Sequence, residues 1–133
     1  MQPLVIESDD DSPKVVLDSD KMVFLMEGES RPQHAFKFFK PILDWLEGYK
    51  KELSSQADKS KAVLFKVNLS YFNSTSAKFL GDIFFLLDDF CKEGLNVSVK
   101  WHYLKEDIDM KETAEEYQKI VKKLPIQLEL IPD

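Results

Sequence analysis

Leu-Ser-Tyr-Phe-Asn-Ser-Thr-Ser-Ala-Lys-Phe-Leu-Gly, residues 69–81, is the stretch from which the fold of this chain follows. An alternating apolar run ends at Phe72, small polar residues follow, and a helical pattern begins near Thr75. We interpret this as a strand that leads into the start of a helix. The side chains of Asn, Ser and Thr accept bonds from unpaired first-turn amides, so capping alone explains much of the cluster. Free N–H groups and the helix dipole also stabilise a phosphate at such a position.

The same two patterns continue on both sides of this stretch. Alternation of apolar and polar residues predicts six strands, at residues 4–6, 14–17, 22–26, 62–72, 95–103 and 126–131. Helical spacing predicts three helices, at residues 33–54, 75–92 and 107–122. Ser30 is a candidate N-cap of the first helix and Pro32 suits its first position. Pro41 either kinks that helix or ends a short first piece near Lys40.

The composition of the last three strands indicates how the sheet is covered. Each carries apolar residues on one side and largely polar residues on the other, whereas a strand buried on both faces is apolar throughout. We therefore expect helices on one face of the sheet and water or a partner on the other. Strands separated by one helix are expected to be parallel, and the short first strands to form a hairpin. The predicted fold is α/β with α+β character, a mixed sheet with three helices mainly on one face.

Length and charge limit the possible functions. The 133 residues, 44% of them hydrophobic, suit one domain, residues 1–133. A net charge of −6 argues against binding nucleic acid or an anionic membrane, so we expect a protein partner. The start of the chain lacks a secretion signal and no run is long enough to span a bilayer, which predicts a cytoplasmic protein. The single cysteine, Cys91, reads as a core thiol.

Residues that could support enzyme chemistry are sparse. The histidines, His34 and His102, lie in different elements and in no metal-spaced or triad-like motif. No glycine-rich phosphate loop occurs, and we predict neither a metal nor a cofactor. Carboxylates gather around Asp107, so a small enzyme that uses them is an alternative to a binding protein. An oligomeric scaffold, with the half-polar sheet face covered by another copy, is a third.

Aromatic residues mark the ends of two predicted parallel strands. Tyr71 and Trp101 are most simply core residues. The carboxyl ends of strands are nevertheless where open α/β sheets place their working residues, and Ser74 and Thr75 lie at the same edge. Tyr103 and Glu106 are expected to flank them.

Several motifs give the chain a resemblance to a known family. They occur in the same order along nearly the whole sequence, at residues 11–15 (Asp-Ser-Pro-Lys-Val), 28–32 (Gly-Glu-Ser-Arg-Pro), 39–46 (Phe-Lys-Pro-Ile-Leu-Asp-Trp-Leu), 71–76 (Tyr-Phe-Asn-Ser-Thr-Ser), 101–103 (Trp-His-Tyr) and 106–110 (Glu-Asp-Ile-Asp-Met). With these motifs the chain resembles the SiaC family of bacterial regulatory phosphoproteins. The fold of that family is similar to that of STAS-domain anti-sigma factor antagonists.

The resemblance implies a phosphorylation site. In the family, an Asn-Thr-Ser-Ser box at the head of the second long helix is phosphorylated on the residue after Asn. That position is Ser74 here, and Thr75 is a rival acceptor. The residues expected to contact a partner are Asn73, Ser74, Thr75, Ser76, Lys78 and Tyr103.

The resemblance also implies partners. They are a GHKL-type serine/threonine kinase, a PP2C-like phosphatase, and a target that in characterised relatives is a diguanylate cyclase controlling cyclic-di-GMP and biofilm formation. The implied function is a non-enzymatic switch in which phosphorylation decides whether the partner binds.

Overall fold

Six strands and three helices make up the chain in this computed structural model, which describes residues 1–132. The strands are β1 (Leu4–Ile6), β2 (Lys14–Asp18), β3 (Val23–Ser30), β4 (Ala62–Phe72), β5 (Asn96–Tyr103) and β6 (Ile126–Leu130). The helices are α1 (Ala35–Ser54), α2 (Ser74–Lys92) and α3 (Ile108–Ile120). Every predicted element is present, and the boundaries differ by a few residues.

All six strands belong to one sheet, in the order β1-β2-β3-β4-β5-β6. The β1–β2 and β2–β3 pairs are antiparallel, while the β3–β4, β4–β5 and β5–β6 pairs are parallel. Each parallel pair is joined through one helix, as the alternation of strands and helices predicted. The mixed α/β fold class is therefore confirmed.

One face of the sheet forms the core. A row of register partners on this face is buried in every strand from β2 to β6: Leu17, Phe24, Phe65, Val99 and Ile126. The helices contribute the residues that cover it, such as Phe39, Leu80 and Tyr117. No helix of the described residues covers the opposite face, where Val5 is 52% and Val23 40% exposed. The half-polar strands thus have helices on one side only.

The start of α1 differs from the prediction. Ser30 is the last residue of β3 rather than an N-cap, and Pro32 precedes the helix. The N-cap position belongs to His34, whose side chain makes no capping bond. The reason is that pairing with β4 continues through Ser30. Pro41 lies inside a helix that continues on both sides of it, so no short first piece ends near Lys40.

A β-bulge changes the expected facing of two aromatic residues. Gly28 pairs with Leu69 but Glu29 pairs with Tyr71, which leaves Ser70 as an extra residue in β4. Gly28 has φ +115°, a backbone conformation that residues with a side chain rarely adopt. Beyond the bulge Tyr71 is 50% exposed, whereas the Phe72 ring packs edge-on against Trp101 at 5.9 Å. The assignment of Tyr71 to the core was therefore wrong, and that of Trp101 is confirmed, since it is 1% exposed.

Candidate functional site

The carboxyl ends of the parallel strands lie at one edge of the sheet, which we call the rim. It comprises the ends of β3, β4 and β5 and the starts of α1, α2 and α3. The start of α2 lies at its centre because β4, which leads into α2, lies between β3 and β5. Every residue predicted to form the site belongs to this edge or to the first turns of α2.

Asn73 begins α2 as its N-cap. Its Oδ1 accepts a hydrogen bond from the Ser76 backbone N–H at 2.9 Å, and its own N–H donates to the Ser30 carbonyl at 3.0 Å. Ser74 and Thr75 follow in the first turn and are both exposed. Their amides have no acceptor within the helix, as in the first turn of any α-helix. The two hydroxyls are thus accessible at a position that favours negative charge.

Ser76 has a different environment from its two neighbours. It is 0% exposed; its hydroxyl donates to the Ser30 carbonyl at 2.9 Å and accepts from the Ser30 hydroxyl at 2.8 Å. The predicted contact between the Ser76 side chain and a partner is not possible while this hydroxyl is buried. Sequence reasoning missed that Ser30 and Ser76 fasten the start of α2 to the end of β3.

Arg31 connects two of the sequence motifs at the rim. Its guanidinium lies 3.3 Å from an Asp11 carboxylate oxygen and 3.4 Å from one of Glu29. Its backbone N–H donates to the Asp11 carbonyl at 2.8 Å. Arg31 therefore holds the acidic turn before β2 beside the end of β3. No local pattern in the sequence indicated this role for Arg31.

Lys78 and Tyr103 complete the predicted set. Lys78 is exposed, four residues after Ser74 and so on the same side of α2, and its Nζ lies 3.2 Å from an Asp82 carboxylate oxygen. Tyr103 is half-buried at the end of β5, where its carbonyl accepts from the Ile131 N–H at 2.8 Å. Both belong to the rim, with Lys78 one turn into α2 and Tyr103 on the neighbouring strand.

Large apolar side chains are exposed around the rim. They occupy the starts of α1 and α3 and the ends of β4 and β5: Phe36 at 66%, Ile108 at 64%, Tyr71 at 50% and Leu104 at 47% exposed. Exposed apolar side chains of this size, gathered at one edge with polar residues between them, are typical of a surface that binds another protein.

The carboxylates near Asp107 do not form a catalytic pair. Asp107 is the N-cap of α3, and its Oδ1 accepts from the Met110 N–H at 3.1 Å. Asp107 and Asp109 line an open cleft of about 290 Å³ beside Tyr71. Within residues 1–132 no group of His, Cys, Asp and Glu side chains is placed to hold a metal ion.

Other titratable residues have structural surroundings. His102 is half-buried on the uncovered sheet face, where burial, Lys100 and Lys66 lower its pKa despite Glu129. The Cys91 thiol is half-buried and donates to the Val97 carbonyl at 3.3 Å, and burial raises its pKa. No described helix is long and apolar enough to cross a membrane.

The fold and the rim define a class of protein: a small two-layer α/β domain whose polar residues gather at a helix start and not in a catalytic pocket. Comparisons with known proteins identify the group within that class. A model of the SiaC family of regulatory phosphoproteins matches residues 6–131. The chain therefore belongs to the SiaC family, whose members are regulatory proteins and not enzymes, as the sequence predicted.

Individual relatives agree with this assignment. An uncharacterized protein of Pseudomonas aeruginosa (strain UCBPP-PA14) is 29% identical over 118 residues, 89% of either chain. The structure of SiaC of P. aeruginosa superposes with a TM-score of 0.83 at 27% identity, covering 98% of this chain and 100% of that one. A chain in the crystal structure of the diguanylate cyclase SiaD in complex with its activator SiaC, also from P. aeruginosa, gives a TM-score of 0.84 at 26% identity, covering 96% and 99%.

Proposed function

We propose that this protein is a cytoplasmic phosphorylation switch, in which a phosphate on Ser74 controls binding of a protein partner across the rim. The observation that carries the proposal is the exposure of the Ser74 and Thr75 hydroxyls in the first turn of α2, directly after the Asn73 cap. A kinase needs the acceptor hydroxyl to be accessible, and among these serines and threonines only the Ser76 hydroxyl is sealed.

Electrostatics support a switch that acts without refolding. Phosphorylation adds about 1.5 to 2 negative charges, which first-turn amides and the helix dipole tolerate. Lys78, one turn away, is a nearby cation. The same charge, on a rim that also carries exposed apolar residues such as Tyr71 and Phe36, would repel an acidic partner and disfavour an apolar one.

The relatives suggest which proteins act on the switch. P. aeruginosa SiaC is the activator of the diguanylate cyclase SiaD, so we propose a diguanylate cyclase as the target here, with a role in cyclic-di-GMP signalling and biofilm formation. A GHKL-type kinase and a PP2C-like phosphatase would add and remove the phosphate. We place the acceptor on Ser74 because it directly follows Asn73, with Thr75 as the rival residue.

The acceptor is tested by mass spectrometry of protein recovered from its native host. We expect one phosphate on the peptide that contains Ser74, lost in Ser74→Ala and retained in Thr75→Ala. Retention in Ser74→Ala and loss in Thr75→Ala would move the acceptor by one residue. Equal phosphate after both residues are replaced would overturn the proposed site.

Partner binding is tested with matched variants at Ser74. Ser74→Asp adds a charge, whereas Ser74→Asn has nearly the same shape without it. In pull-downs with a diguanylate cyclase of the same host, we expect Ser74→Ala and Ser74→Asn to bind and Ser74→Asp to bind at least tenfold more weakly. Equal binding by Ser74→Asp and Ser74→Asn would show that charge at this position is not the switch.

A further inference from the structure

The face of the sheet that carries no helix has two unlike halves. Register partners Val16 on β2 and Leu25 on β3 lie on its apolar half. Leu25 is in turn the register partner of Lys66 on β4, and Lys66 that of Lys100 on β5. One row across the sheet therefore passes from valine and leucine to two adjacent lysines.

The apolar half is accessible. Val5 and Val23 are 52% and 40% exposed, and Leu25 and Leu64 are half-buried. Leu25, Leu64 and Lys66 line a cleft of about 240 Å³ on this face. These side chains leave apolar area exposed to water at the centre of the sheet. Burial of this area would stabilise a complex with a partner that covers it.

The basic half holds its positive charge without a partner. Lys66 and Lys100 are directly opposite on neighbouring strands, an arrangement that destabilises a sheet. Within residues 1–132 no carboxylate oxygen lies within 4.0 Å of either amine, although the net charge of the chain is −6. The glutamates of this face lie nearer the rim: Glu27 and Glu129 belong to the next row, and Glu29, the register partner of the exposed Tyr71, lies beyond the bulge. His102 in that row has its pKa lowered by burial and by both lysines.

We propose that this face binds an acidic amphipathic helix of another protein, with the apolar side of the helix on Val16, Leu25 and Leu64 and its carboxylates on Lys66 and Lys100. Charge complementarity selects this occupant. A nucleic acid would pair with the two lysines but would leave the apolar strip uncovered. A second copy of this acidic chain would have to bring its carboxylates to the two lysines and nowhere else on the face.

The size of the face agrees with a single helix. Six strands about 4.8 Å apart, over roughly five residues of about 3.3 Å each, give about 24 by 17 Å. This is roughly 400 Å², about half of what one partner buries in an interface between globular proteins. A helix of roughly three to four turns is about 16 to 21 Å long and fits this surface.

The test is a titration of the isotopically labelled protein with synthetic helical peptides, followed by amide chemical shifts. The first peptide has leucine at i, i+3, i+4 and i+7 and glutamate at the positions that flank this stripe, where the carboxylates can reach the sheet. The second replaces every glutamate with lysine, and the third scrambles the first so that the leucines share no face. We expect saturable shifts in β3, β4 and β5 with the first peptide and at least tenfold weaker binding of the other two. Shifts confined to the rim, or equal binding of all three peptides, would overturn the proposal.

Two double charge reversals distinguish an effect of this face from an effect of the net charge of the protein. Lys66→Glu with Lys100→Glu should abolish peptide binding. Lys59→Glu with Lys111→Glu makes the same change in net charge at exposed positions elsewhere and should leave binding within twofold. Equal loss in both double variants would contradict a local site. Self-association that the first pair abolishes, or tighter binding of a single-stranded oligonucleotide than of the acidic peptide, would assign the face to another occupant.

The stability of Lys100→Glu distinguishes a binding role from a structural one. The substitution replaces a like-charge pair with an opposite-charge pair, so we expect its urea midpoint to rise while binding of the acidic peptide falls. A lysine that served the fold would give a lower midpoint.

Discussion

At the scale of single residues, three neighbouring hydroxyls at the start of α2 have two kinds of surroundings. Ser74 and Thr75 face solvent, while the Ser76 hydroxyl is buried against Ser30. The difference follows from the helix, since the third residue of its first turn, Ser76, faces β3 while the first two face solvent. The exposed pair is available for chemistry because the buried residue holds the turn in place.

Replacing Ser76 with Ala should lower the free energy of unfolding by about 1–3 kcal/mol, because the buried Ser30 hydroxyl loses its acceptor. Ser74→Ala removes only an exposed hydroxyl and should change it by less than about 0.5 kcal/mol. Urea denaturation followed by circular dichroism measures both. Equal unfolding free energies for the two variants would contradict the anchoring role of Ser76.

At the scale of elements, one buried carboxylate joins α2 to the segment between α3 and β6. Asp88 is 2% exposed and accepts hydrogen bonds from the backbone N–H groups of Lys122, Lys123 and Leu124 at 3.1, 2.7 and 2.9 Å. Burial alone would raise the pKa of this carboxyl, but the three amides and Lys92 outweigh burial and lower it. The connection is thus secured by an ionised group.

Asp88→Asn should lower the free energy of unfolding by about 3 kcal/mol at neutral pH, since an amide cannot accept all three bonds. Because the pKa of Asp88 is lower in the folded state, its contribution is present above the unfolded value of about 3.9 and is lost as the pH falls below it. The difference in unfolding free energy between wild type and variant should therefore shrink from pH 5 toward pH 3, to be measured by urea titrations. A difference independent of pH would show that the pKa of Asp88 is the same in the folded and unfolded states.

At the scale of the whole molecule, both tryptophans belong to one core. Trp101 is buried between Phe84 and Tyr117. Trp45, a residue of α1, packs against Phe24 and Tyr49. The Trp45 indole N–H donates to the Gln2 carbonyl at 2.8 Å, so this tryptophan also reports on the N-terminal segment.

A single core should unfold in one step. In Trp45→Phe the fluorescence reports on Trp101, and in Trp101→Phe it reports on Trp45. We expect the fluorescence midpoint in urea to coincide with the circular dichroism midpoint in each variant. A fluorescence transition at lower urea than the circular dichroism transition, in either variant, would reveal two units that unfold separately.

Much of this architecture was contained in local patterns. Alternation along β4 and helical spacing along α2 placed each element within a few residues, because burial on one side imposes those periods directly. The half-polar strands indicated a sheet covered on one face, and Asn73 followed by Ser74 and Thr75 indicated an accessible helix start at the rim. The resemblance to the SiaC family added the expected phosphorylation, which the exposure of those hydroxyls permits.

By itself the sequence determined the elements and their order, since their periods come from residues close together in the chain, and the strand–helix–strand order then indicated the parallel pairing and the position of the rim. Only the tertiary structure decided that Ser30 ends a strand, that its hydroxyl meets Ser76 across 46 residues, and that Arg31 holds the acidic turn. It also decided, through the bulge at Ser70, that Tyr71 faces solvent and Phe72 the core. These features depend on register and on contacts between distant segments, which no local period encodes.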